Sequence, residues 1–75
     1  MIISSENTTT ENGTTVHSSV TLDIDAIGVS PPFTLTAYAS GERIVSHHST
    51  GAEARKERVR VHSSLVLAHA PSLSR

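Results

Sequence analysis

Five histidines are the residues of this 75-residue chain best suited to chemistry: His17, His47, His48, His62 and His69. A zinc or copper centre needs three or four such ligands converging, with neighbours that fix the rings. Asp23 and Asp25 add oxygen ligands or a proton-sharing carboxylate pair. The spacing argues against a site. Neither His-x-His nor His-Glu-x-x-His occurs. On a strand His47 and His48 point to opposite faces, so only one of them can meet His62 across a sheet. Asp23 and Asp25 share a row with Thr21, the pattern of a solvent-facing strand. The histidines therefore read as surface or edge residues, with no metal ligand and no cofactor assigned.

Nucleophilic chemistry finds no better footing. Serine is abundant, but there is no Gly-x-Ser-x-Gly elbow, and Cys is 0. With only Phe33 and Tyr38 as aromatics, so small a body has little room for a walled pocket of ~300 Å³ or more. No catalytic residue is assigned, and the chain reads as non-enzymatic.

Positive charge is concentrated in Arg55-Lys56-Glu57-Arg58-Val59-Arg60, which makes Arg55, Lys56, Arg58 and Arg60 the candidate interaction surface. Phosphates are one ligand for such a patch. Glu53 and Glu57 interrupt it, however, and no aromatic residue accompanies it for base stacking. A salt-bridging contact with an acidic partner fits better. The 6–25 segment of a neighbouring copy, with Glu6, Glu11, Asp23 and Asp25, is such a partner. Nucleic acid is disfavoured.

One echo invites a different reading. Val16-His17-Ser18-Ser19-Val20 returns as Val61-His62-Ser63-Ser64-Leu65, and a leucine follows two places on at Leu22 and Leu67. Either the two histidines share a site, or both copies are long strands bent at their serines. The second reading is preferred, because the apolar row in each copy skips to Ser at its second place.

The elements that position these residues are read from periodicity. Val20, Leu22, Ile24 and Ala26 alternate with polar residues, and Phe33, Leu35, Ala37 and Ala39 alternate again beyond Gly28 and Pro31-Pro32. Ser40-Gly41-Glu42 reads as a tight turn into a third strand, Arg43 to His48. Thr50 and Glu53 resemble a capping box, yet a helix over 51–58 has only Ala52 and Ala54 to bury. A helical face Val59-His62-Val66-His69 can also be drawn. The β-branched residues and Ser63-Ser64 favour a fourth strand from Val59 to Leu67, with 50–57 a polar loop. Pro71 ends it.

Residues 1–15 form a polar Ser/Thr-rich arm or a hairpin turning at Asn12-Gly13, which suits a type I′ turn. Such a hairpin is polar on both faces and needs a neighbouring subunit to hold it. Asn7-Thr8-Thr9 and Asn12-Gly13-Thr14 match glycosylation sequons, a match that arises easily in so Thr-rich a segment. The predicted fold is all-β: a small antiparallel sheet of about four to six short strands, closed as a sandwich or small barrel and completed by oligomerisation. One β domain spans 16–71, and 72–75 is a tail.

Composition sets the boundary conditions. Aromatics are 3% and hydrophobic residues 36%, many of them alanine, so the available core is small. The net charge of −1, with a pI near 6.5, draws the chain to neither nucleic acid nor membrane surface. No apolar run approaches the ~20 residues of a membrane span. The first residues lack the basic and apolar regions of a signal peptide, and localisation stays open between soluble and particle-associated. The function expected is a non-enzymatic assembly protein acting through protein–protein contacts, as a homo-oligomer or an accessory subunit of a larger particle such as a virion. The alternatives are a macromolecule-binding module using Arg55–Arg60 and, less favoured, a metal-dependent enzyme using histidines with Asp23 and Asp25.

Overall fold

The computed structural model describes residues 1–10 and 13–69. Four antiparallel strands form one sheet in chain order, β1 (Ile2–Thr9), β2 (Thr15–Leu22), β3 (Phe33–Ala39) and β4 (Glu42–His48). Among the described residues one α-helix, α1 (Gly51–His69), crosses one face of this meander. The architecture is mixed α/β in two layers, which corrects the all-β expectation. Val59 to Leu67 is helix, not a fourth strand, and 51–57 is the start of that helix, not a loop.

Two features make the helix. Thr50 caps it, its Oγ1 accepting from the Glu53 backbone N–H at 3.2 Å, as the Thr-x-x-Glu pattern suggests. Its inward face is Ala54, Arg58, Val61, His62 and Leu65, spaced at helical intervals. Two of those five are polar, so hydrophobicity alone cannot find the face.

The core lies between α1 and the two central strands. Val16 and Val20 of β2, Leu35, Ala37 and Ala39 of β3, and Ala54, Val61 and Leu65 of α1 are all buried. Phe33, Ile44, Val66 and Ile3 pack around them. Ile3 reaches this core where the β1–β2 register shifts between Ile2 and Ser4. Beyond Leu22 the alternation does not continue as strand. Residues Ile24–Ala26 form a 3₁₀ turn capped by Asp23, and Ile24 is exposed.

The polar N-terminal segment pairs with β2 along its length, from Ile2 opposite Thr21 to Thr9 opposite Thr15. Its support comes from the chain's own sheet and helix. The connection is tied by Thr10 N–H to Thr14 O at 2.8 Å and Gly13 N–H to Thr10 O at 3.0 Å. Gly13 has φ +82°, a value that favours glycine. Asn12, Pro71 and the 72–75 tail lie outside the described residues.

The β3–β4 hairpin closes through Ser40 and Gly41, with Ala39 opposite Glu42. Both turn residues have positive φ, 50° at Ser40 and 85° at Gly41, the signature of a type I′ turn whose twist matches the strands. Serine is a poor occupant of the first place, where asparagine tolerates the left-handed conformation better. Ser40→Asn is therefore expected to stabilise the fold by about 0.5–1 kcal/mol, measured as a raised urea midpoint with unchanged m-value. A fall in midpoint contradicts the turn assignment.

Candidate functional site

The largest concentration of polar side chains lies between α1 and the β1–β2 half of the sheet. Strand alternation turns Ser4, Glu6 and Thr8 of β1 and Ser18 of β2 toward the helix, where Arg58 and His62, one turn apart, meet them. Arg58 Nε donates to Ser4 Oγ at 2.9 Å. Its Nη1 donates to Ser18 Oγ at 3.2 Å and to Glu6 Oε1 at 3.3 Å. His62 Nδ1 lies 2.8 Å from Ser18 Oγ, and its Nε2 lies 3.2 Å from Thr8 Oγ1 and 3.8 Å from Glu6 Oε2.

Ser18 Oγ accepts from Arg58 and keeps its own O–H and a second lone pair, so it can serve either tautomer of His62 at Nδ1, and Thr8 Oγ1 meets the other ring nitrogen. No buried side-chain nitrogen or oxygen among the described residues lacks a partner.

Ser18, His62 and Glu6 are the residue types of a hydrolytic triad, and their setting decides what they can do. Ser18 is fully buried and His62 nearly so. No cavity occurs among the described residues where a substrate carbonyl would sit beside Ser18. The arrangement ties the helix to the sheet. Sequence reasoning missed this cluster because each member is polar and looks solvent-facing in isolation.

The candidate interaction surface divides. Arg58 is buried in that cluster, whereas Arg55, Lys56 and Arg60 are exposed. Arg60 pairs with Glu57 one turn back on the helix. Its guanidinium, first by hydrogen bonding and then by charge, holds the Glu57 carboxyl below the usual carboxylate range, and Glu57 raises Arg60 in turn. A lowered carboxyl adds stability above its unfolded-state value and loses it as pH falls through the native one. Solvent exposure keeps that contribution small.

The histidines are dispersed. His17 and His47 lie on the sheet face away from α1, where His17 stacks on Tyr38 with ring centroids 6.3 Å apart and meets Asn7 Oδ1 at 2.8 Å. His47 approaches Thr34 Oγ1 at 3.3 Å. His48 faces the helix side, near Ser46 and Glu53, and His69 pairs with Glu42 at 3.3 Å. Among the described residues no three His, Asp or Glu side chains converge as a metal set.

No family model, curated protein or solved structure matches the chain. Its function must be read from its own surfaces.

One surface stands out at the end of the sheet where β1 begins, β2 ends and β3 begins. Leu22 N–H donates to Met1 O at 2.8 Å, and Asp23 N–H donates to Pro32 O at 2.8 Å. These bonds set Met1 beside the 23–32 loop. Met1, Ile2, Ile24, Ile27 and Val29 are all exposed there, from 57% at Ile27 to 85% at Val29.

The buried cluster yields a stability test. Arg58→Ala removes donors to Ser4, Glu6 and Ser18 together. Because Glu6 can rehydrate, the expected loss is about 2–3 kcal/mol, toward the low end for a broken buried pair. Hydrogen exchange should show β1 amides losing protection before those of β3, since β1 meets the helix mainly through Arg58 and His62. A loss below about 0.5 kcal/mol, the level of ordinary surface changes, contradicts the assignment.

Proposed function

We propose that the protein is a non-enzymatic assembly subunit that works through protein–protein contacts, beginning with copies of itself, with the exposed end of the sheet as its contact surface. The observation that carries this is where the large aliphatic residues lie. The core is built from Val, Ala and Leu, while no isoleucine is fully buried, and Ile2, Ile24 and Ile27 are exposed. A domain this small is marginal and gains from every aliphatic residue it buries. Single exposed apolar residues are ordinary, but several gathered at one end mark an interaction surface.

Other features support the same reading. Among the described residues nothing forms a second layer on the sheet face away from α1, and none pairs with the outer edge of β1 or β4. No helix among the described residues is long and apolar enough to cross a membrane. The alternative of a basic module loses support, because Arg58 is occupied internally and Arg60 is paired, leaving only Arg55 and Lys56 of that segment to meet phosphates.

The test is the mass in solution across a concentration series. The wild-type chain should grow beyond the monomer as concentration rises. A variant carrying Ile24→Ser, Ile27→Ser and Val29→Ser should stay monomeric, with folding nearly unaffected, since exposed positions cost within about 0.5 kcal/mol each. A wild-type chain that is monomeric at every concentration overturns the proposal.

A further inference from the structure

Resting on that reading, we infer that the assembling contact is a two-fold pairing in which the Asp23–Asp25 loop of each copy faces Arg55 and Lys56 of the other. The fold leaves several charges without an ion pair. Among the described residues, Glu6 is held by Arg58, Glu57 by Arg60, Glu42 by His69, and Glu53 faces His48. Asp23 accepts only the backbone N–H of Asp25, at 3.1 Å, and neither aspartate forms an ion pair. Arg55 and Lys56 form none either. The unsatisfied acids and the unsatisfied bases of the helix thus fall in two short segments.

Those segments share one end of the molecule. The loop joins Leu22 to Phe33, which lie opposite each other in the sheet. The helix begins on that same Phe33. A Cβ placed on Gly51 would stand 3.2 Å from Phe33 Cε1 and 3.2 Å from Arg55 Nη1. The first turns of α1 and the loop that carries Asp23, Ile24, Asp25, Ile27 and Val29 therefore lie toward the same end of the sheet.

A patch that holds both signs of charge around exposed aliphatic residues is self-complementary. Two-fold pairing suits it, because each copy offers its acids to the other's bases and the contact is made twice. The aliphatic residues supply the buried area, and the rim charges select the partner and its orientation. A partner of one charge sign would satisfy only half of the patch.

Charge reversal tests this. Asp25→Lys in one variant, and Arg55→Glu with Lys56→Glu in another, each place like charges opposite one another in a homodimer. Neither change touches the core, and acidic residues in the first turns suit the helix N-terminus; circular dichroism confirms folding. Each variant alone should self-associate at least about tenfold more weakly than wild type. An equimolar mixture should recover near-wild-type affinity as the mixed dimer, whose mass native mass spectrometry resolves. Variants that associate as wild type does, or a mixture that recovers nothing, overturn the two-fold pairing and leave assembly itself standing. A monomeric wild type removes the assembly reading as well.

Discussion

The hydroxyl of Ser18 is the point on which the two layers depend. It accepts from Arg58 at 3.2 Å and bonds His62 at 2.8 Å, so one small buried side chain satisfies two large polar ones from the helix. Burying a guanidinium and an imidazole is costly unless every hydrogen-bonding group finds a partner. Ser4, Glu6 and Thr8 of β1 complete the set, which gives that strand its reason to lie where it does. A helix with a leucine at position 58 would leave Ser4 without its donor and only His62 to meet Glu6 and Thr8. The polar edge strand and the polar helix face require each other.

That dependence explains what the sequence disclosed and what it concealed. The Phe33–Ala39 alternation and the turn at Ser40-Gly41 are local signals, and both appear in the structure as a hairpin. The helix is different. Its cap at Thr50 was legible, but its inward face reads Ala54, Arg58, Val61, His62 and Leu65. The apolar row Val59, Val61, Leu65 and Leu67 falls at strand spacing, with Val66 out of step. Val59 and Leu67 are in fact exposed. The period was present but written partly in charged letters, and it becomes readable only once β1 supplies the partners. The same holds for β1, whose composition suggests disorder until the helix is in place. In the candidate cluster, no local motif connects residues 4–18 to residues 58–62, so the juxtaposition is a product of topology.

The distribution of apolar residues follows from the narrow core. With β1 turning Ser4, Glu6 and Thr8 inward and β4 turning Glu42, Ser46 and His48 the same way, only β2 and β3 present a mainly apolar surface to α1. Small residues at Ala37, Ala39 and Ala54 let the helix approach closely there, at the expense of buried area per residue. Several of the remaining large aliphatic side chains are placed on the loop and at the strand ends, while Val45, Val59 and Leu67 are exposed on β4 and α1. Exposure at one end of the sheet is thus tied to the same feature as the buried polar cluster: the inner face is apolar in its middle and polar at its edges.

The repeated Val-His-Ser-Ser segment shows how far context governs these choices. In β2 the period of two turns Val16, Ser18 and Val20 inward and leaves His17 outward on Tyr38. In α1 the period of 3.6 turns Val61, His62 and Leu65 inward and leaves Ser63 and Ser64 in solvent. The serine that the strand buries and the histidine that the helix buries are then the two residues that meet, Ser18 Oγ with His62 Nδ1. The shared segment is not in itself a strand signature, since its first copy is strand and its second is helix, and the two histidines share no site. What the copies share is a set of side chains from which each backbone period selects a different half, and the selected halves are complementary.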